Sequence, residues 1–186
     1  MDESANRSRR IEKKTPTYKT KTLKEIKEKI KAKQEISGLE IEKFLSCIPN
    51  FIGCYSDDHL NYISIQSFPA LFILNFDKSS QVGSHWVAVR LDRTSVEIFD
   101  PLGFNVSYWP TIPTCLIDFL RRLSFHRKII ISHQLQTSKS VLCGFFCIFY
   151  VLLRNKFTLS KIQQKFSKRL HRNDSILLYN FHKLIK

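Results

Sequence analysis

The feature that most limits how this chain can fold is the run CGFFCIFYVLLR at residues 143–154. Its side chains would be apolar on every side of a helix, and only Arg154 is charged. A helix that is apolar all round is either buried in a protein core or spans a membrane. A bilayer crossing takes about 20 apolar residues. Because the run is shorter than that, it predicts a fully buried helix.

The segments around this helix have strand and helix patterns. Strands are predicted at ALFILNF (70–76), HWVAVRLD (85–92), SVEIFD (95–100) and KIIIS (128–132). Amphipathic helices are predicted at 39–48, 114–123, 159–170 and 174–185, and a loop at 50–60. The first helix should begin at a capping box in which Ser37 pairs with Glu40. A helix, then a cluster of strands, then further helices predicts an α+β domain with segregated elements.

Residues 1–36 form a basic arm with a net charge of +6, from 12 Lys/Arg and 6 Asp/Glu. RSRRIEKK (7–14) is typical of a nuclear-localisation or polyanion-binding patch, and equally of a solvated tail. Leu23, Ile26 and Ile30 recur at helical spacing, but that stripe is narrow. We therefore expect residues 1–36 to be flexible or loosely helical, and the compact domain to cover residues 37–186.

The whole chain carries a formal net charge of +14, and such a field attracts polyanions such as nucleic acid. No nucleic-acid motif is visible, so contacts would be directed at phosphates and would weaken with salt. The five cysteines are an odd number, which favours reduced thiols over a disulfide framework. The sequence has neither a run long enough to span a bilayer nor a secretory signal. We therefore expect an intracellular protein that does not bind membranes. We also expect a monomer, although nothing in the sequence fixes the oligomeric state.

His85 and Asp100 stand at the open ends of the two strands in a predicted hairpin. If the turn is centred on residues 92 and 93, the two side chains lie opposite each other. A slightly longer turn makes them diagonal neighbours, which are still within reach. A carboxylate beside an imidazole fixes its tautomer and stabilises the imidazolium. The spacing therefore permits a His–carboxylate contact at a sheet edge, although each residue alone is more typical of an ordinary strand or turn.

Cys143 opens the predicted buried helix and is followed by Gly144. The positive end of the helix dipole favours a thiolate there, and a nearby His supplies a base for proton transfer. Gly144 lacks a side chain where a substrate carbonyl must come close. Gln134 and Gln136 each offer an amide N–H for an oxyanion. These residues predict a nucleophilic site, although a free Cys is also common in cores, and that interpretation fits Cys147.

Several motifs then occur in one order along the chain: FIGCYSDDHL (51–60), GSHWVAV (83–89), EIFDPLGF (97–104), Gln136, CGFFCIF (143–149) and LHRNDSILLYNF (170–181). This ordered set resembles the adenovirus-type maturation proteases, the adenain family. The resemblance covers roughly residues 37–186. It implies a papain-like cysteine protease fold with a permuted chain order, in which a central mixed or antiparallel sheet is flanked by helices.

By this resemblance four residues form the catalytic set: His85 as general base, Asp100 to orient it, Gln136 in the oxyanion hole and Cys143 as nucleophile. Trp86 and Gly144 would flank the site on the substrate side. The ubiquitin-like-protein proteases share this arrangement.

Three departures from the family pattern limit what is carried over. Asp100 stands where the family has Glu, a change that moves the resemblance slightly toward the ubiquitin-like-protein proteases. Phe125 stands where the family carries the Cys that bonds an activating peptide, so a disulfide-linked peptide activator is not supported. The arm 1–36 has no counterpart in the family, and its charge leaves activation by DNA open. No other cofactor is required, and Cys143 and Cys147 lack the second ligand pair of a zinc finger.

The sequence thus predicts a cysteine endopeptidase of a DNA virus or a virus-like element. It would cleave precursor proteins at small-residue or Gly sites during particle maturation, in the host nucleus or the virion. One alternative is a deubiquitinating or SUMO-deconjugating protease. Another is a non-catalytic, basic nucleic-acid-binding protein built on a protease fold.

Overall fold

A computed structural model describes residues 17–81, 83–103, 113–124 and 126–184 of the chain. The helices are α1 (Thr17–Lys31), α2 (Gly38–Leu45), α3 (Thr114–Ser124), α4 (Cys143–Arg154), α5 (Leu159–Gln163) and α6 (Asn173–Leu184). The strands are β1 (Phe51–Ser56), β2 (Ala70–Asn75), β3 (Trp86–Leu91), β4 (Ser95–Phe99) and β5 (Lys128–Ile131). Short 3-10 turns cover Asp57–Tyr62 and Leu170–Arg172.

The five strands form one mixed sheet in the order β1-β2-β3-β4-β5. The two outer pairs, β1 with β2 and β4 with β5, are parallel. The central pairs, β2 with β3 and β3 with β4, are antiparallel. The expected α+β architecture, with a mixed sheet flanked by helices, is therefore confirmed.

Both faces of the sheet are buried, which explains why β2 is a continuous apolar run rather than an alternating one. Leu71 and Ile73 of β2 belong to a first core that also contains residues of α1, α2, α4 and α6. Phe72 and Leu74 belong to a second core on the opposite face, with residues of α3. The sheet thus lies between two helical layers. The start of β3 and the end of β4 lie side by side at one end of the strands.

Helix α4 is the buried helix that the run at 143–154 predicts, and every side chain from Cys143 to Val151 is buried. The Tyr150 ring stacks on Phe99 of β4, with centroids 4.6 Å apart and planes 12° from parallel. The Tyr150 hydroxyl and the Arg154 guanidinium both donate to Oε1 of the buried Glu97, each at 2.6 Å. These contacts fix the position of α4 along β4, the strand directly before Asp100.

Two predicted elements differ in the structure. The segment 50–60, predicted as loop, contains β1 and a 3-10 turn, because tertiary pairing with β2 supplies its backbone hydrogen bonds. The helix predicted over 159–170 ends at Gln163. The amide of Gln163 donates to the carbonyl of His133, and the backbone N–H of Ser167 donates to Asn173. These long-range contacts turn the chain away from a helical path.

The basic arm also differs from the expectation where it is described. Ile26 and Ile30 of α1 are only 2% and 1% exposed and belong to the first core, together with Ile36. The narrow stripe suffices because α2 and α6 cover α1 as well. Residues 23–36 therefore pack into the domain that was expected to begin at Ser37, rather than forming a loosely docked arm. The patch at 7–14 lies outside the described residues.

Candidate active site

His85 and Asp100 meet just beyond the ends of β3 and β4. The strands pair Leu91 with Val96 and Ala88 with Phe99. This register makes His85 and Asp100 diagonal neighbours, as expected for the longer turn, which Asp92 N–H closes onto the Ser95 carbonyl. Nε2 of His85 lies 2.7 Å from Oδ1 of Asp100, and both residues are buried. The His–carboxylate contact predicted from the spacing is therefore present.

The carboxylate of Asp100 is held by its own turn. The backbone N–H of Leu102 donates to Oδ1 at 2.8 Å. The Ser132 hydroxyl accepts from the backbone N–H of Asp100 at 2.9 Å and donates to its carbonyl at 3.0 Å. Gly103, with φ of +81°, closes the turn; a Cβ there would lie 2.8 Å from Cβ of Gln134. The carboxylate is thus fixed before any substrate binds.

Cys143 is the first residue of α4 and is 9% exposed. Its N-cap, Leu142, has no polar side chain to satisfy the free N–H groups of the first turn. Those N–H groups and the helix dipole favour negative charge at this position. The thiol therefore lies at the positive end of the α4 dipole.

The pKa of His85 reflects the influence of both Asp100 and Cys143 on the imidazole. Burial would lower that pKa, but the hydrogen bonds and charges of Asp100 and Cys143 outweigh burial and raise the pKa from 6.5 to about 9. Because Nε2 faces Asp100, Nδ1 is the ring nitrogen that remains for the Cys143 thiol. The geometry thus places the imidazole of His85 between the carboxylate of Asp100 and the thiol of Cys143, as nucleophilic catalysis requires.

Gln136 lies in the loop that runs against the Asp100 turn. Its backbone N–H donates to the Pro101 carbonyl at 2.8 Å, and the side chain is 1% exposed. Nε2 donates to the Ser140 carbonyl at 2.7 Å, so one of its two N–H bonds remains for another acceptor. Gln134 donates its amide to the Gln136 carbonyl instead. Of the two glutamines offered by the sequence, Gln136 therefore fits a buried oxyanion donor better.

Trp86 and Gly144 contact each other and the chain segment before α2. The indole N–H of Trp86 donates to the Ile36 carbonyl at 3.2 Å. A Cβ on Gly144 would lie 2.5 Å from Cγ2 of Ile36 and 3.1 Å from Cδ1 of Trp86. The missing side chain of Gly144 thus makes room for Ile36 and Trp86. The expectation that the lack of a side chain at Gly144 also lets a substrate carbonyl come close stays a prediction.

The remaining cysteines do not share the environment of Cys143. All five are free thiols. Burial raises the pKa of Cys147 well above its ordinary value, and the thiol donates to the Trp86 carbonyl at 3.2 Å. Burial also raises the pKa of Cys54 and Cys115. Cys47 is exposed.

Within the ranges that the structure describes, no three His, Cys, Asp or Glu residues are grouped as metal ligands. Nor does any described helix have the length and apolarity needed to cross a bilayer.

Sequence reasoning missed two residues of this site. Ser132 was predicted only as the last residue of the strand at 128–132, whereas the observed β5 ends at Ile131 and Ser132 follows it. A polar residue at the end of an apolar strand was the available signal. Ile36 sits in a short segment between two helices, and no pattern in the sequence marks its contact with Trp86 and Gly144.

Comparisons with known proteins agree with this geometry. A family model described as adenovirus endoprotease matches residues 51–175, a range that contains His85, Asp100, Gln136 and Cys143. A curated relative, the protease of Bovine adenovirus 7, is 27% identical over 125 residues, which cover 61% of this chain and 60% of the relative. The chain therefore spans about 60% of the length of the curated relative it matches.

Among solved structures, the Se-Met ASFV protease matches with a TM-score of 0.53 and 18% identity, over 83% of this chain and 69% of that chain. At that identity the match shows a shared fold. The SUMO protease Ulp1, with its catalytic cysteine oxidised to a sulfinic acid, matches with a TM-score of 0.44 and 13% identity, over 86% of this chain and 83% of that chain.

Proposed function

This chain belongs to the adenovirus endoprotease family, and from that premise we propose that it is a cysteine endopeptidase. The observation that carries the proposal is the buried line of Asp100, His85 and Cys143, in which the pKa of His85 is raised to about 9 by the carboxylate and the thiol. Such a site holds His85 as the imidazolium beside the nucleophilic sulfur, as acyl transfer requires.

The proposed reaction begins from the ion pair in which the Cys143 thiol proton lies on Nδ1 of His85. The Sγ thiolate attacks the scissile carbonyl carbon and forms a C–S bond. The oxyanion accepts a hydrogen bond from the second N–H of the Gln136 amide and from backbone N–H groups at the start of α4. The C–N bond then breaks, and the leaving amine takes the proton from His85. His85 next takes a proton from water, whose oxygen attacks the thioester carbon and releases Cys143.

The proposed substrates are precursor proteins of a virus or a virus-like element, cleaved at small-residue or Gly sites during particle maturation. Membership in a viral endoprotease family supports this choice. The proposed small-residue preference rests on the resemblance to that family. Activity in the host nucleus or the virion belongs to the same proposal.

Peptide hydrolysis tests the activity. Purified wild-type protein should cleave peptides with Gly-containing junctions, and Cys143→Ala should abolish cleavage. Cys47→Ser, which changes an exposed thiol, is the matched control and should retain activity. Retained cleavage by Cys143→Ala would contradict the assignment. Fluorogenic ubiquitin and SUMO substrates in the same assay test the alternative. Cleavage of these substrates in place of the peptides would indicate a deubiquitinating or SUMO-deconjugating protease.

DNA is the proposed polyanionic partner, and it would act as an activator. From Arg154 to Arg172 the sequence has no Asp or Glu. The exposed cationic side chains of this stretch are Lys156, Lys161, Lys165, Lys168, Arg169 and Arg172. Contacts of this kind are directed at phosphates and weaken with salt. DNA binding should therefore fall steeply with ionic strength and fall further in Lys165→Ala/Lys168→Ala, whereas exposed Lys78→Ala should bind like the wild type.

A further inference from the structure

The segment between α1 and α2, residues 32–37, lies against Trp86 and Gly144. These two residues directly follow His85 and Cys143 in the chain. Ile36 is 3% exposed, and its carbonyl accepts the indole N–H of Trp86, the residue after His85. Its Cγ2 would lie only 2.5 Å from a Cβ on Gly144, the residue after Cys143. One residue thus touches the start of β3 and the start of α4 at the same time.

The first residue of α2, Gly38, also packs against the indole ring of Trp86. A Cβ on Gly38 would lie 3.0 Å from Cη2 of Trp86, so the chain runs directly along the ring. The ring is therefore enclosed between the segment on one side and the first turn of α4 on the other. A change in the position of Ile36 would displace the ring, and with it the backbone of His85.

The segment is itself anchored at both ends. Before it, Ile26 and Ile30 bury α1 in the first core. After it, Ser37 and Glu40 form the capping box of α2, and the Glu40 carboxylate also pairs with Lys29 at 2.6 Å. This pair is partly exposed and contributes little stability by itself, but it joins α1 to α2 across the segment. Ile36 is thus held in a fixed place.

We propose that Ile36 is a positioning residue, which acts through Trp86 and Gly144 to hold His85 and Cys143 at reacting distance. The inference rests on the proposed function of that pair. The segment lies before residue 51, where the match to the endoprotease family begins. A small error in the position of reacting groups is enough to slow catalysis on the order of a hundredfold.

The experiment compares Ile36→Ala with Ile117→Ala in the full-length chain. Ile117 is equally an isoleucine in a core, but it packs on the opposite face of the sheet in α3. Ile36→Ala should lower kcat for peptide cleavage by about tenfold or more with KM little changed, and should slow alkylation of Cys143 by iodoacetamide. Ile36→Val should restore most of the activity. Ile117→Ala should change neither rate once both are scaled to the folded fraction.

A size exchange gives a second, independent readout. Gly144→Ala should lose activity because its Cβ meets Ile36, and Ile36→Ala added to Gly144→Ala should recover part of it, a non-additive result expected only for residues in contact. Additive losses, or equal effects of Ile36→Ala and Ile117→Ala, would overturn the proposal. If the wild type cleaves no peptide, the proposed function fails, while the rates of Cys143 alkylation in the two Ile→Ala variants still decide the role of Ile36.

Discussion

His85 and Asp100 meet through Nε2 and Oδ1 at 2.7 Å although they are not opposite each other in the β3–β4 hairpin. The diagonal offset works because the Asp100 side chain extends from a turn that Leu102 and Ser132 hold in place. One methylene less than Glu therefore suffices for direct contact, with no water between the two groups. Because Nε2 of His85 is hydrogen-bonded to Asp100, Nδ1 is the ring nitrogen that remains for Cys143.

Asp100→Asn should lower kcat for peptide cleavage by about 10²-fold or more, since an amide neither stabilises the imidazolium nor fixes one tautomer. Without the carboxylate the pKa of His85 should fall, so the alkaline limb of the pH–rate profile should move to lower pH. Asp92→Asn is the matched control, because Asp92 pairs with Arg90 at the other end of the same hairpin. Equal pH profiles for Asp100→Asn and wild type would contradict the role of Asp100.

The proton on His85 should also make stability depend on pH. The folded chain holds this proton up to a pKa of about 9, whereas an ordinary His has a pKa of 6.5. The stabilisation is therefore fully present below about pH 6.5 and is lost as pH rises through about 9. We expect the free energy of unfolding to fall over this window by on the order of 3 kcal/mol. Urea titrations at several pH values should show a smaller fall in the free energy of unfolding for His85→Gln than for the wild type. The same fall in both proteins would show that the proton on His85 is not the cause.

Ser132→Ala should destabilise the chain by about 1–3 kcal/mol, because it leaves a buried N–H and a buried carbonyl of Asp100 without their partner. Activity should fall as well, since the turn that carries the carboxylate loosens. The control is Ser46→Ala, which removes one exposed hydroxyl contact to Lys43 and should change the free energy of unfolding by less than about 0.5 kcal/mol. Chemical denaturation of the two variants makes the comparison, and equal losses would show that Ser132 has no special role.

Gln136→Ala should reduce kcat by about 10²–10³-fold with a smaller change in KM, as loss of an oxyanion donor does. The exposed Gln164→Ala should leave both constants unchanged. Steady-state kinetics on one Gly-junction peptide measures the effect. A loss confined to KM would instead place Gln136 in ground-state binding.

The chemistry of this chain was more predictable than its packing. His85, Asp100, Gln136 and Cys143 could be singled out because the hairpin spacing permits a His–carboxylate contact and because the ordered motifs resemble those of a known protease family. The hairpin register was fixed by the hydrogen bond from Asp92 to Ser95, a turn detail that alternation in the strands does not encode. The spacing therefore allowed two registers, and only the structure distinguishes them.

Tertiary contacts account for what the sequence did not predict. Phe51–Ser56 is a strand because β2 pairs with it, although the segment itself has loop-like residues. The role of Gly144 depends on Ile36, more than a hundred positions earlier in the chain, and no local pattern connects the two. Ile26 and Ile30 look too sparse to anchor a helix until α2 and α6 are placed around them.

Mapping the first thiol to react is the most direct test of the central claim, that Cys143 is the activated nucleophile. Wild-type protein is treated with a limiting amount of iodoacetamide near neutral pH, and peptide mass spectrometry locates the label while residual activity is followed. The account predicts that Cys143 is labelled first, that activity falls in proportion, and that His85→Ala slows this labelling. Preferential labelling of exposed Cys47, with Cys143 unmodified and activity lost in step, would contradict it.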